Sequence, residues 1–387
     1  LRVFAAYALR PFAVFFFAIV KVLRPVRHKA TLISRQSDTT PVDFALLIGE
    51  LGQQDRSLKI KLLCSSRAAR SERFLGYLRH TIVELWHIAD SSAVILDDCT
   101  FSVSYFPQRK ELYVLQMWHA LGTIKRISWQ AVDSPGGRDS HLARATRMHA
   151  NYSTVLVAGE ASREIYRHAF RTARTRIKVL PLPRVDILRN PDMNRIDMLL
   201  SQNPNFFVRS PLILYAPTFR DCVEASSKWL THLKSLLSAA EACGATLILK
   251  AYLHETTLED RGVQLPTSPN LIVDPDVDIL DLLTIVDHVV TDYSAIAFEA
   301  AVAGKPLWFY IPDYDDYRKN YGLSVDPLQY MSEACFDSSE KLMEAFLQTT
   351  LPSMQQEQFL RTFVQSPEKA SITSAKRIAR LVLQSIQ

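Results

Sequence analysis

Several kinds of chemistry are missing from this chain of 387 residues. It carries no GxSxG, no HExxH and no GxxxxGK followed by Ser or Thr, so the common hydrolase, zincin and P-loop readings fall away. Its five cysteines, Cys64, Cys99, Cys222, Cys243 and Cys335, are an odd number, far apart, with no CxxC pair. A zinc site or disulfide framework is thereby excluded, and a reducing cytosol is the simplest compartment. Asp274, Asp276, Asp278 and Asp281 cluster, yet the glycine and the terminal glutamate of a calcium loop are absent. Asp97-Asp98 has no recognisable third ligand nearby, so it reads as a polar strand end, and neither a metal nor a cofactor is expected. No internal repeat, low-complexity tract or bilayer-length apolar run is visible.

What is present describes an ordinary globular protein, with 48% hydrophobic and 22% charged residues. The length exceeds what one hydrophobic core usually organises, which predicts two domains. A net charge of +5 conceals an asymmetry. Arg2, Arg10, Lys21, Arg24, Arg27, Lys29 and Arg35 lie in residues 1–37 with no acid. The remainder therefore holds 38 of the 45 basic residues against all 40 acidic ones. Basicity this local argues against a nucleic-acid groove. Within it, Phe12 to Val20 is an unbroken apolar run between Arg10-Pro11 and Lys21. It is too short to span a bilayer and fits a helix in an anionic membrane surface, with Phe and Val inserted and Arg and Lys at the headgroups. A signal segment and a plain hydrophobic helix docked on the body are the competing readings.

Strands then alternate with helices, which predicts parallel sheets with crossovers. Strands are expected at Lys59–Ser65, Ala93–Leu96, Leu112–Met117, Val155–Ala158 and Ile177–Leu180, with helices at Ala69–Trp86, His141–Ala150 and Glu160–Phe170. The polar stretch Asp133 to Arg138 reads as a loop over a ligand site. Pro181-Leu-Pro183 marks an exit from the first half. A second series places strands at Leu212–Ala216, Thr246–Lys250, Leu271–Val273, Val289–Thr291 and Leu307–Tyr310. Helices are expected near Trp229–Ala242, Ile279–Ile285 and Ala295–Ala303, and a last helix, Ile372–Gln387, returns to the first half. The resulting division is a membrane-surface segment at 1–30 and Rossmann-like domains at 31–186 and 187–387. Two α/β domains facing a cleft suit many nucleotide-dependent transferases.

Ligands in such sheets bind beyond the carboxyl ends of the strands. His119 follows one such end, with Gly122 in a tight turn and the cation Lys125 downstream; proton removal beside a phosphate is one reading, a hydrogen-bonded structural histidine the other. In the second half, Thr218 and Arg220 follow one strand and Lys250 ends another, cations of the kind a diphosphate needs. Thr291-Asp292-Tyr293-Ser294 closes a strand and opens an alanine-rich helix, with Ser294 as an N-cap or part of an anion site. Glu299, one turn on, either meets ribose hydroxyls or faces solvent.

In order along the chain, QMWHALGTIKR, LPLPRVD, LYAPTFRD, LILK and TDYSAIAFEAAVAGKPLWFYIPDYDDY resemble the CDP-glycerol glycerophosphotransferase family of teichoic-acid synthesis, over roughly residues 90–330. The chain length and the WHAxG form are most similar to its short, primase-type members. The resemblance implies a GT-B fold, a CDP-glycerol or CDP-ribitol donor held mainly by the second domain, and an undecaprenyl-linked glycan acceptor at the cytoplasmic face of the membrane, with no obligatory metal. By motif position His119 would be the base. Lys125, Thr218, Arg220, Lys250, Thr291, Asp292 and Ser294 would bind substrate or phosphate, with Gly122, Arg184, His254 and Glu299 as further candidates. Where the family has Lys-x-His-Pro this chain reads Lys250-Ala-Tyr252-Leu253, with His254 two positions late. An expected Arg-Gly is Tyr321-Gly322, with Arg318 earlier. A nucleotide-sugar glycosyltransferase, or an inactive membrane-bound scaffold of the same fold, are the alternatives.

Overall fold

The computed structural model describes residues 2–65, 74–207, 211–218, 223–250, 264–273, 277–348, 352–366 and 372–387. Two six-stranded parallel sheets organise it. The first contains β1 (Lys29–Ser34), β2 (Lys59–Cys64), β3 (Ala93–Leu96), β4 (Tyr113–Gln116), β5 (Thr154–Val157) and β6 (Ile177–Val179), in the order β2-β1-β3-β4-β5-β6. The second contains β7 (Leu212–Ala216), β8 (Thr246–Leu249), β9 (Leu271–Val273), β10 (His288–Thr291), β11 (Leu307–Tyr310) and β12 (Cys335–Phe336), in the order β12-β11-β10-β7-β8-β9. The order in which strands are added reverses once in each sheet, between β1 and β3 and between β7 and β10, while all strands stay parallel. Those two switch points are where a parallel α/β sheet opens a crevice for ligand.

Side chains alternate across these strands as a two-residue period requires. Ala30 and Leu32 of β1 enter the core that continues into the second half, whereas Ile33 faces a separate core containing Phe17 and Val20. The continuous core includes Leu121 and Ile124 from the first half and Phe298 from the second. The chain also crosses back. The helix Met354–Phe363 stacks Phe359 on Phe298 with ring centroids 5.0 Å apart, and Gln365 N then donates to Ala158 O at 2.8 Å. The final helix, Ser374–Ser385, packs on the helix Val42–Gln54, its first amides capped by the Asp186 carboxylate at 2.9 and 3.1 Å.

At the amino end, helices Arg2–Ala8 and Arg10–Leu23 precede β1. Phe17 and Val20 are buried against the body, while Phe12, Phe15, Phe16, Ile19 and Val22 are exposed. The neighbouring helix Phe74–Ala89 exposes Leu78, Ile82 and Trp86. Among the described residues, no helix is long and apolar enough to cross a membrane. Part of the local basic charge is consumed internally: Arg24 and Lys29 both pair with buried Asp90, and Lys21 donates to Pro107 O at 2.9 Å.

Candidate active site

The strand end before His119 is held from three sides. Gln116 donates from its amide to Asp98 O at 3.1 Å and accepts from Trp118 N at 2.8 Å. Trp118 takes a left-handed φ of 66°, a conformation costly for a bulky side chain. Its indole packs on the His119 ring at 4.2 Å and on Phe170 at 5.0 Å. His119 Nδ1 is 3.0 Å from Asp97 O. A carbonyl only accepts, so Nδ1 carries the proton and Nε2 is the basic nitrogen of the neutral ring. Half-buried His119 is thus oriented as a proton acceptor.

Asp97 is fixed in turn. Ser34 Oγ donates to Oδ2 at 2.5 Å and Arg35 N to Oδ1 at 3.0 Å. Burial pushes its carboxyl up to about 6 despite those two donors, with Asp98 and Asp43 adding to the rise. Asp97 does end a strand, following β3, but its contacts with Ser34, Arg35 and His119 were not legible, because those residues lie far away in sequence.

Beyond His119 the loop leaves its own half. Leu121 N donates to Glu299 Oε1 at 3.3 Å, and Arg126 N to Gly322 O at 3.3 Å. Ser324 N and Val325 N both donate to Ile124 O, and exposed Lys125 forms an antiparallel bridge with Leu323. Gly122 is required by contact: a Cβ there would lie 2.6 Å from the Phe298 ring. Gly322, at φ 72°, lies against the Arg126 side chain, so a guanidinium reaches this corner from the first half rather than from position 321.

The second crevice lies between the ends of β7 and β10. Thr291 Oγ1 donates to Ala216 O at 2.7 Å, joining the two strands. Asp292 Oδ1 accepts from Thr218 N at 2.7 Å and Tyr293 N at 2.5 Å. Thr218, Thr291, Asp292 and Ser294 are therefore gathered at one mouth, with Lys250 at the end of adjacent β8. Ser294 is not the helix cap. The helix Ile296–Val302 is capped at Ala295 without a side-chain bond and has seven residues, which leaves little dipole for an anion. Arg220 and His254, like Tyr252 and Leu253, lie outside the described residues.

Glu299 and Arg184 serve each other instead of facing ribose, phosphate or solvent. Arg184 Nη1 donates to Glu299 Oε1 at 3.0 Å, while its Nε and Nη2 hold Asp43 Oδ2 at 2.9 and 2.6 Å. Burial opposes the guanidinium charge, but Asp43 and Glu299 outweigh it and hold Arg184 above its ordinary value. Burial likewise raises Glu299, with Arg184 pulling it part of the way back. One glutamate thus ties the helix after the second crevice to the His119 loop and to the first half.

Among the described residues, no cluster of His, Cys, Asp or Glu could hold a metal ion. A cavity of about 610 Å³ at the ends of β11 and β12 is walled by Asp313, Asp315, Asp316 and Asp337. Four carboxylates repel a diphosphate, so this cavity does not suit an anionic ligand.

Two Rossmann-like halves, one presenting an oriented histidine and the other a polar strand-end crevice, define a two-domain protein of the GT-B fold. The chain belongs to the CDP-glycerol:poly(glycerophosphate) glycerophosphotransferase family, whose model matches residues 15–384. A teichoic acid ribitol-phosphate primase of Bacillus spizizenii is 29% identical over 357 residues, covering 86% of this chain and 89% of its own. A teichoic acid glycerol-phosphate primase of Bacillus subtilis is 24% identical, covering 83% and 84%. Among solved structures, the wall teichoic acid polymerase TagF superposes with a TM-score of 0.72 at 17% identity, over 99% of this chain and 97% of that one. A UDP-GlcNAc 2-epimerase of Neisseria meningitidis reaches 0.59 at 15% identity, over 92% and 99%. At such identities the likeness is one of fold, and the epimerase illustrates that this fold alone does not set the chemistry.

Proposed function

We propose that this glycerophosphotransferase-family enzyme moves glycerol phosphate or ribitol phosphate from a CDP-activated polyol to an undecaprenyl-linked glycan at the cytoplasmic face of the membrane. The observation that carries the reading is the His119 Nδ1 contact with Asp97 O, which leaves Nε2 basic beside a loop bonded to the donor half. The acceptor hydroxyl oxygen attacks the β-phosphorus of the donor and gives its proton to His119 Nε2. A new oxygen–phosphorus bond forms, the bond between the β-phosphorus and the bridging oxygen breaks, and CMP leaves with that oxygen. Thr218, Lys250, Ser294, Arg220 and Lys125 are assigned to the diphosphate, where fixed donors and cations stabilise the developing charge. The primases named for ribitol phosphate and glycerol phosphate support a CDP-polyol donor, as does a TagF variant solved after soaking with CDPG.

Membrane seating is supported by the exposed Phe12, Phe15, Phe16, Ile19 and Val22 beside Leu78, Ile82 and Trp86. Apolar surface of this kind enters the interface plane without spanning it. The deciding experiment is mass spectrometry of a defined lipid-linked acceptor after incubation with CDP-glycerol and CDP-ribitol separately. One added polyol phosphate and released CMP are expected. A released nucleoside diphosphate would instead identify a glycosyltransferase, and no turnover with any CDP-polyol would leave a scaffold. His119→Ala is expected to slow transfer by about 10²–10⁴-fold. A loss below about tenfold, roughly 1.4 kcal/mol of barrier, refutes its role as base.

A further inference from the structure

Arg35 and Ser65, at the ends of β1 and β2 beside the switch point of the first sheet, have no task in the scheme above, yet they stand in a polar strand-end region. Besides the Ser34 and Arg35 bonds to Asp97, Gln36 Nε2 donates to Asp98 Oδ2 and Arg35 Nη1 to Cys99 O, both at 3.0 Å. Ser34 pairs in register with Cys64 of β2, and Ser65 N donates to Ser34 O at 3.1 Å, so Arg35 and Ser65 leave the sheet side by side. Each carries a buried polar atom with no hydrogen-bond partner among the described residues, Arg35 Nε and Ser65 Oγ, and Ser65 is only 2% exposed. Buried donors and hydroxyls are ordinarily paired, and a pair of orphans at one strand-end crevice marks bonds waiting for a ligand. Arg35 also makes no ion pair among the described residues.

We propose that this crevice seats the hydroxyl-bearing end of the acceptor, with Arg35 Nε donating to, and Ser65 Oγ exchanging a hydrogen bond with, hydroxyl groups of a sugar or polyol. This rests on the transferase reading, for which it supplies the acceptor subsite. The chemistry favours hydroxyls over phosphate: Asp97 and Asp98 stand in the same crevice and oppose a second anion, while a hydroxyl both gives and accepts. The position is also apt for transfer, because His119 is bonded to the carbonyl of the same Asp97 that anchors Ser34 and Arg35.

Ser65→Ala is a discriminating variant. Its hydroxyl has no partner among the described residues, so removing it should leave the melting temperature unchanged or raise it. Steady-state transfer with a water-soluble, short-chain isoprenoid diphosphate disaccharide as acceptor is expected to show at least a fivefold higher acceptor KM for Ser65→Ala and for Arg35→Lys. Donor KM should stay within twofold. Calorimetric titration of the same compound into the whole chain needs no turnover, and should show a Kd weakened by a similar factor. Acceptor KM and Kd within twofold of the unaltered protein in both variants would overturn the subsite while leaving the transferase reading intact. Absence of any CDP-polyol turnover would sink that reading, and the titration would still decide the crevice.

Discussion

Replacing Arg184 with methionine tests how the two halves are joined. Arg184 N, Nε and Nη2 donate to Asp43 at 2.7, 2.9 and 2.6 Å, and Nη1 to Glu299 at 3.0 Å. Methionine retains much of the volume but strands two carboxylates that are 4% and 2% exposed. Removing one partner from a buried ion pair costs about 3–5 kcal/mol. With about 2 cal/mol/K of unfolding entropy per residue, a chain of this length melting as one unit should lose about 4–6 °C. The loss should also depend on pH. Without the cation, burial dominates Glu299, whose carboxyl is already raised in the unaltered protein, and its folded pKa rises further above the unfolded one despite the Leu121 amide. The folded variant then binds protons that the unfolded chain has already released, so its stability grows as pH falls toward the carboxylate range. Scanning calorimetry should therefore find the deficit largest at about pH 8 and reduced at about pH 5. Adding Asp43→Asn and Glu299→Gln should recover part of it, since no charge is then stranded. A melt within about 1 °C of the unaltered protein, or a deficit independent of pH, refutes the ion triad as the joint.

Gly122→Ala places a methyl 2.6 Å from the ring of Phe298, which is itself wedged on Phe359 and Phe363 and cannot yield. Overpacking of about 1–3 kcal/mol and a fall in kcat are expected, with Phe298→Leu restoring both; unchanged kcat would contradict the close approach. Asp97, raised to about 6 by burial, binds its proton in the folded state before the unfolded chain does. Relative to Asp97→Asn, the unaltered protein should gain up to about 3 kcal/mol as pH falls from about 7.5 to about 4, and a urea-midpoint difference constant over that range tells against the burial. The double variant Phe12→Ser/Phe15→Ser should lose at least about tenfold in partition onto vesicles, since each inserted side chain contributes about 1.5–3 kcal/mol. Equal flotation of both proteins would mean that this helix is not the anchor.

The same contacts show what was legible in the chain. Apolar runs bounded by turn residues located β3, β7, β9 and β11 to the residue and the other expected strands within one residue at each end. β3, β7 and β11 are buried on both faces and announce themselves locally. β1 was hidden, since it opens on Lys29 within the segment read as 1–30, and a lysine there is tolerable only because Asp90 lies 2.5 Å from its Nζ. β12, two residues long, carries too little pattern to detect. The helix expected at Ala69–Trp86 is Phe74–Ala89 among the described residues, and that at His141–Ala150 ends at Ala145, where left-handed Arg147 and His149 break the turn.

By itself, then, the sequence determined the α/β class, the two-sheet division and the family, and it singled out His119 as the candidate base, because these depend on local hydrophobic period and on short ordered strings. Tertiary structure decided the rest. Ser294 proved not to be a cap, because the helix begins a residue later. Glu299 and Arg184, 115 positions apart, became partners. The tautomer of His119 came from a carbonyl 22 residues upstream. Ion pairs and imidazole tautomers are set by whichever group the fold brings within about 3 Å, and no local pattern encodes that neighbour.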